Sequence, residues 1–338
     1  MYFTLSPKER EEDFYNYREQ LSQLYRYLNE KEKLIVIKGI RRVGKTSLMK
    51  VAYNKLSSPK VFLDGREYPY GMSLINAAFE KILAQVDPTY QVFEYLSSVE
   101  IGPFSLSLST VPSTLKEIDN RLSKSHAYIF IDEAHMVEGL DALIAVCYDW
   151  MSRVSFVISG SEVGLMENFF TPTAPLFGRA RMEITLHPLS PESAVEFLRL
   201  GFAQMGKEFK DKEISSAVEN LDGLMGWLTY YGYLRRDMPH EKALEKLKGD
   251  AKLLLAAEFS KFLSKQRGEK QRYMEIVKCL RRGPLSWKRL KESVEFALKK
   301  RISPSRFNGY LKKMEASSFL VETNEGYALA DPLMKLLF

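Results

Sequence analysis

One run of nine residues has the composition and spacing of a phosphate-binding loop. It lies in the stretch KGIRRVGKTSLMK, residues 38–50, and fits the spacing G-x-x-x-x-G-K-[ST]. Glycines let such a loop curl so that its backbone N–H groups point at phosphate oxygens, and the next helix presents its positive end to the same anion. A lysine then offers a point charge to the β and γ phosphates, and a threonine hydroxyl can bind Mg²⁺. The predicted nucleotide-binding residues are Gly39, Ile40, Arg41, Arg42, Val43, Gly44, Lys45, Thr46 and Ser47.

A pair of carboxylates follows a second apolar run, YIFIDE, residues 128–133. Asp132 is expected to hold Mg²⁺, directly or through water. Glu133 is the candidate to orient and deprotonate an attacking water, while Lys45 stabilises charge on the transferred phosphoryl group. The alternative is an acidic cap on the next helix, because Asp and Glu favour helix N-termini. The two motifs together predict a nucleotide-binding core of the P-loop type with Mg²⁺, and the carboxylate pair favours hydrolysis.

Short apolar runs alternate with helical patterns through the first half of the chain, which indicates an α/β fold with a central, mostly parallel sheet. The predicted strands are Leu34–Lys38, Lys60–Asp64, Ala127–Asp132, 154–159 and 181–186. The predicted helices among them are 9–29, 44–56, 72–86, 112–122 and 140–151. The alternating segment 99–109 predicts an edge hairpin.

From residue 190 onward the strand pattern stops, and helical segments continue to about residue 264. A charged linker, 265–272, is followed by a helix–helix–helix–hairpin pattern, which is typical of a winged helix-turn-helix. The predicted domains are therefore a P-loop core over 1–188, a helical lid over 189–265 and a winged helix over 266–338.

Several motifs of this chain, taken in order, resemble the archaeal ATPase family, which belongs to the AAA+-related signal-transduction ATPases with numerous domains. They are GIRRVGKTSLM, FIDEAHM, FVISGSEVGLM, APLFGRA and GWLTYYG. The resemblance implies ATP as the ligand and a helical lid over it. It also implies further site residues. Ser159 would sense the γ-phosphate or the water, and Arg179 would answer phosphate charge in cis or in trans. Tyr15 and Asn16, with Tyr17, would lie near the adenine, and Met225 would contact the nucleotide from the lid. Met225 stands where the family commonly has a proline beside the base.

Charge is distributed unevenly along the chain. The whole chain carries a net charge of +6, whereas residues 267–315 contain fifteen Lys or Arg and five Glu, a net +10 that leaves −4 elsewhere. A basic winged helix suggests a nucleic-acid partner, although a solvated basic face or a protein-docking domain is the alternative. The residues predicted to contact double-stranded DNA are Arg306, Asn308, Lys312 and Lys313.

The leading hypothesis is an ATPase, slow in turnover, whose nucleotide state controls the lid and the winged helix. The rival is a nucleotide-stabilised DNA-binding regulator with little or no catalysis. No base-reading Asn-Lys-x-Asp motif supports a GTPase, and the two cysteines and four histidines show no metal or triad spacing. The sequence has no run long enough for a membrane span and no signal pattern, so a cytoplasmic protein is expected, monomeric or assembling with nucleotide.

Overall fold

A five-stranded parallel sheet forms the centre of the computed structural model, which describes residues 1–86, 111–207, 209–266 and 268–338. Its strands lie in the order β2-β3-β4-β1-β5, so that β1 has β4 on one side and β5 on the other. The strands are β1 (Leu34–Lys38), β2 (Lys60–Asp64), β3 (Ala127–Asp132), β4 (Val154–Gly160) and β5 (Met182–Thr185). This arrangement confirms the predicted α/β class.

Both faces of the sheet are covered, which explains why its strands have no polar alternation. Along β1, Ile35 and Ile37 belong to one buried cluster, whereas Leu34 and Val36 belong to a second cluster on the opposite face. Successive side chains of a strand point to opposite faces, so each cluster takes every second residue. The covering helices are α1 (Arg18–Asn29), α2 (Lys45–Lys55), α3 (Gly71–Val86), α4 (Val111–Arg121), α5 (Leu140–Trp150) and α6 (Val163–Asn168).

Helices dominate the rest of the chain. A first group comprises α7 (Pro191–Gln204), α8 (Asp211–Leu221), α9 (Met225–Leu234) and α10 (His240–Ser264). The winged helix follows, with α11 (Lys270–Leu280), α12 (Trp287–Leu298), α13 (Pro304–Ala316) and the antiparallel pair β6 (Leu320–Thr323) and β7 (Gly326–Leu329). No helix in these described ranges is long and apolar enough to cross a membrane.

One predicted helix is wrong in its first half. Helix α1 begins at Arg18 rather than at residue 9, and only a short 3-10 turn, Glu11–Asp13, precedes it. Asn16 and Tyr17 have φ angles of 60° and 52°, a left-handed conformation that interrupts a helix. Tyr17 is buried, and its hydroxyl donates to the carbonyl of His187, 2.6 Å away. This contact with a residue far along the chain favours the break in the predicted helix.

The predicted linker and the predicted hairpin have different outcomes. Helix α11 begins at Lys270, within the segment predicted as a linker. The predicted hairpin over 99–109 lies outside the described residues. The two boundaries between the three predicted domains stay a prediction.

Candidate nucleotide site

The predicted phosphate loop connects β1 to α2 at the carboxyl edge of the sheet. Gly39 and Gly44 have φ angles of 150° and 109°. A Cβ at Gly39 would lie 2.6 Å from the carbonyl oxygen of Leu186, so glycine is required there by both conformation and space. The loop therefore has the tight curvature that its spacing predicts.

Lys45 lies inside this loop. Its ammonium group donates to the carbonyls of Gly39 and Ile40, at 2.8 and 2.9 Å. Burial lowers the pKa of Lys45 to about 8, although the nearby carboxylates of Glu133 and Asp132 oppose that shift. The lysine is thus held beside the loop's own backbone, where an incoming phosphate would be an additional partner.

Asp132 and Thr46 meet at the ends of β3 and the phosphate loop. The Thr46 hydroxyl donates to Asp132 Oδ2 at 2.6 Å, and the Ser159 hydroxyl donates to Asp132 Oδ1. The backbone N–H of Glu133 also donates to Oδ1, at 3.1 Å. A hydroxyl and a carboxylate are the oxygen ligands that Mg²⁺ prefers, so the pair fits the ion.

Glu133 has a left-handed backbone, with φ of 51°. Its Oε2 accepts from the backbone N–H of Ser161 at 3.1 Å and from the Ser161 hydroxyl at 2.8 Å. Ser161 and the predicted sensor Ser159 therefore have separate partners. Ser159 contacts Asp132, and Ser161 contacts Glu133. The sequence pattern SGS indicates a polar strand end, but it does not indicate that the two serines bind different carboxylates.

A large cavity opens beside the loop and has a volume of about 1070 Å³. Its walls come from the phosphate loop, the N-terminal segment, α9, the end of α10 and the end of α13. Its lining includes Phe14, Tyr15, Tyr17, Lys45, Thr46, Glu133, Met225, Lys312 and Lys313. The volume is at the upper end of the range for small-molecule sites.

Two of the three predicted base contacts lie on this cavity. Tyr15 and Tyr17 line it, and the Tyr15 hydroxyl donates to Glu196 Oε2 at 2.7 Å. Asn16 is exposed and is not part of the wall, so the structure does not bring its side chain to the predicted position beside the base. The left-handed turn at Asn16 places this residue outward between two inward tyrosines. Phe14, which the sequence prediction omitted, also lines the cavity.

The first residues of the chain form another part of the wall that the motifs did not predict. Residues 4–8 line the cavity, and the backbone N–H of Lys8 donates to the Ser47 hydroxyl at 3.0 Å. Phe3 anchors this segment, because its ring fills the space that side chains at Gly201 and Gly232 would occupy. The two glycines inside helices were the sequence signal that could have indicated this close packing.

The lid contacts the phosphate loop directly. Met225 lines the cavity at the start of α9, and the N–H of Gly226 donates to the carbonyl of Arg42 at 2.8 Å. A Cβ at Gly226 would lie 2.8 Å from the Cβ of Arg42. The lid and loop backbones therefore approach more closely than two side chains would allow.

Arg42 is bound by acidic residues of α10 and the winged helix. Its guanidinium pairs with Glu258 at 2.7 Å and Asp331 at 3.2 Å, and lies 4.6 Å from the centre of the Trp227 ring. The Trp227 indole N–H donates to the same Asp331 oxygen at 2.9 Å. Burial raises the pKa of Asp331, and Arg42 and Trp227 oppose that shift. The Arg42 side chain thus contacts protein groups, although its loop backbone forms part of the site.

Arg41 points toward other partners. It pairs with Glu162 at 2.7 Å and donates to the carbonyl of Ser317 at 3.0 Å. The predicted arginine at position 179 lies elsewhere. Arg179 pairs with Asp149 at 2.5 Å and is not on the cavity wall, so the structure does not bring it to this site in cis. An electrostatic partner on α5 accounts for its position.

All four residues predicted to contact DNA are exposed, but two of them also belong to the wall of the nucleotide cavity. Lys312 and Lys313 line the nucleotide cavity. Asn308 accepts a hydrogen bond from the Trp287 indole at 2.6 Å, and Arg306 is exposed. The turn of α13 that carries the lysines faces the phosphate loop, because the next residues, Ser317 and Phe319, contact Arg41.

Two family models match the chain over most of its length. Residues 14–230 match the ATPase domain predominantly from Archaea, and residues 267–330 match the C-terminal winged helix-turn-helix domain of MCM proteins. No curated protein matches the chain significantly in sequence.

Solved structures share the fold over nearly the whole chain. The Walker-type ATPase PABY2304 of Pyrococcus abyssi is 27% identical, with a TM-score of 0.79, and the alignment covers 100% of this chain and 99% of that one. The ORC2 protein of Aeropyrum pernix, solved in complexes with ADPNP and ADP, is 13% identical with a TM-score of 0.58. That alignment covers 95% of this chain and 91% of ORC2. The first family model spans more than half of the residues, and so the chain belongs to the family of ATPase domains found predominantly in Archaea.

Proposed function

We propose that the protein binds ATP in this cavity and hydrolyses it slowly with Mg²⁺, and that its nucleotide state alters the docking of the lid and winged helix. The observation that carries the proposal is the convergence of Lys45, Thr46, Asp132 and Glu133 at one edge of the sheet. Each of these residues has the chemistry that phosphoryl transfer to water requires.

The roles follow from the contacts. Lys45 binds the β and γ phosphates, and the loop N–H groups hold the same oxygens. Thr46 and Asp132 would hold Mg²⁺, which neutralises charge on the phosphates when it is bound. Glu133 orients the attacking water, because one of its oxygens is held by Ser161 while its carboxylate lies on the cavity wall. Ser159 keeps Asp132 oriented.

Tyr15, Tyr17 and Met225 form the wall proposed to contact the base. Their rings and thioether supply apolar surface at the end of the cavity bounded by the N-terminal segment and α9. Thioether side chains adapt their shape more readily than proline does, so Met225 permits a looser lid.

Single-turnover hydrolysis tests the proposal. Glu133→Gln should lower the rate by about 100-fold or more while ADP binding is retained, because only water activation is lost. Lys45→Ala should weaken ADP binding itself. Equal rates for wild type and Glu133→Gln would contradict the assigned base. Omission of Mg²⁺ should abolish turnover, and turnover in excess chelator would contradict the metal's role.

A second candidate function is DNA binding by the basic winged helix. The net charge of +10 over 267–315 favours it, but Lys312 and Lys313 face the nucleotide cavity. Duplex DNA would therefore compete with the docked conformation for these lysines. Salt-dependent binding to a duplex, weakened by neutralising both lysines, would support this function. Unchanged binding by that variant would contradict it.

Arg179 is proposed to act only in trans, on the nucleotide site of a neighbouring copy of the chain. Its ion pair with Asp149 would have to open. Adding catalytically inactive Glu133→Gln protein to an Arg179→Ala variant tests this role. Recovery of turnover in the mixture would support it, and a rate that falls only by dilution would contradict it.

A further inference from the structure

His135 is a buried side chain that the proposed mechanism does not use. It lies in the 3-10 turn Ala134–Met136 that follows Glu133, and its side chain is 2% exposed. Nδ1 lies 3.5 Å from Glu133 Oε2, and Nε2 lies 3.8 Å from Glu162 Oε1. The imidazole therefore stands between two carboxylates, one of which is the proposed base.

The contact with Glu133 is incomplete in this conformation. Nδ1 of His135 is buried and makes no hydrogen bond within the described part of the chain. An unpaired buried polar atom is costly, so such an atom is normally explained by a partner or a functional state. Catalytic hydrogen bonds are often long without substrate and shorten in the reactive complex. Nδ1 lies 3.5 Å from the Glu133 oxygen with which that shortening would occur.

Space for the imidazole is provided by the last residue of β4. A Cβ at Gly160 would lie 2.9 Å from Nδ1 of His135. The ring therefore occupies a specific position between β4 and the turn that carries Glu133. A side chain at position 160 would clash with Met166, whose Sδ would lie 2.6 Å from the added Cβ, and with the imidazole.

Glu162 extends the contact to the winged helix. Arg41 pairs with Glu162 at 2.7 Å and donates to the carbonyl of Ser317 at 3.0 Å. Burial alone would raise the pKa of Glu162, but the nearby His135 and Arg41 outweigh it and hold that pKa below its ordinary value. The carboxylate is thus an anionic bridge between the arginine and the histidine.

The helix that begins next to Glu162 packs closely on α13. The N–H of Val163 lies 3.3 Å from the Ser318 hydroxyl. A Cβ at Gly164 would lie 2.4 Å from the Cα of Ala316, so the two backbones are in direct contact there. Undocking of the winged helix would therefore remove contacts made by the residues that directly follow Ser161 and Glu162.

We propose that His135 is a positioning residue for Glu133, and that Glu162 and Arg41 link it to the winged helix, so that docking of the winged helix raises the rate of hydrolysis. The inference rests on the proposed role of Glu133 as the base. It adds a contact through which the C-terminal domain acts on the reaction rather than on nucleotide affinity.

Amide substitutions at His135 separate its two contacts. Asn places an N–H near the position of Nδ1, and Gln places one near Nε2. We expect His135→Asn to keep most of the steady-state kcat for MgATP, while His135→Gln and His135→Leu lower it about tenfold or more, because a hydrogen bond to a charged group is lost. KM for ATP should stay within about twofold of wild type, since no phosphate contact is changed.

A second buried histidine is the matched control. His126 is buried, hydrogen-bonds Ser155 at 2.8 Å and lies outside the cavity wall. His126→Asn should keep kcat per folded molecule, as judged by thermal unfolding and ADP binding. Equal kcat for the Asn and Gln variants at position 135 would overturn the positioning role.

The link to the winged helix is tested by Gly164→Ala, which adds a methyl group against Ala316. We expect it to lower kcat about threefold or more in the wild-type background and to add nothing in His135→Leu. Independent, multiplicative effects would overturn the link. Absence of hydrolysis in wild type would contradict the proposed function itself. Loss of turnover in Glu133→Gln with normal kcat in His135→Leu would overturn only this inference.

Discussion

A single methyl group on α9 should release the N-terminal segment from the nucleotide cavity. An added Cβ at Gly232 would lie 2.3 Å from the Phe3 ring, and one at Gly201 would lie 2.2 Å from it. The ring is 4% exposed and makes edge contacts with Phe197 and Phe202, at centroid distances of 5.5 and 5.2 Å. Gly232→Ala therefore cannot be accommodated while Phe3 stays in place.

The expected magnitude is the difference between two opposing effects. Replacing Gly by Ala inside a helix ordinarily stabilises a protein by about 0.5–1 kcal/mol. Removing a buried Phe ring costs about 3–5 kcal/mol. Gly232→Ala should consequently lower the free energy of unfolding by about 2–4 kcal/mol. Because residues 4–8 line the cavity, ADP binding should weaken as well.

Urea unfolding of four variants separates the clash from helix propensity. Gly249→Ala is the control, since nothing lies within 4 Å of a Cβ built there in α10, and it should stabilise the protein. In a Phe3→Ala background the clash is gone, so Gly232→Ala should be neutral or stabilising. A Gly232→Ala variant that behaves like Gly249→Ala would refute the reasoning. So would equal destabilisation by Gly232→Ala with and without Phe3.

Three further outcomes are expected. Burial lowers the pKa of His126 from 6.5 to about 4, so the unfolded chain binds more protons between these values and stability falls as pH drops. From pH 7 to pH 5 the free energy of unfolding should fall by about 2 kcal/mol at most, and by about 1 kcal/mol after allowance for solvent screening. His126→Gln should remove this pH dependence in urea titrations. Trp227→Phe should cost about 1–3 kcal/mol in the same assay, because Asp331 loses a buried donor; an unchanged midpoint would contradict that. Saturating ADP should weaken duplex binding severalfold in fluorescence anisotropy at fixed salt, because Lys312 and Lys313 face the cavity; equal affinity would show that the two ligands use separate lysines.

The sheet was predictable because its information is local. Three of its strands, Leu34–Lys38, Lys60–Asp64 and Ala127–Asp132, have the predicted bounds. Each is a short apolar run between helical patterns, and burial on both faces leaves no polar position inside it. The N-terminal helix failed for the opposite reason. Its break at Asn16 is favoured by a contact between Tyr17 and His187, which are far apart in sequence.

The site shows the same contrast. Motif spacing predicted Lys45, Thr46, Asp132 and Glu133, because a strand end and a loop fix where each residue must lie. It could not predict the partners supplied by other elements. Asp331 reaches Arg42 across 289 positions, and no pattern near either residue indicates the pair.

The conformation of the phosphate loop gives the proposed switch a physical basis. Arg42 has a φ of 69°, a left-handed conformation that costs a residue with a Cβ about 1–2 kcal/mol. That conformation sends the neighbouring Arg41 toward Glu162 and Ser317, while Arg42 itself reaches Glu258 and Asp331. The ion pairs of Arg42 with Glu258 and Asp331 offset the strain only while the lid and winged helix are docked. Undocking therefore removes the support for this loop shape, and phosphates that require the shape must in turn favour docking.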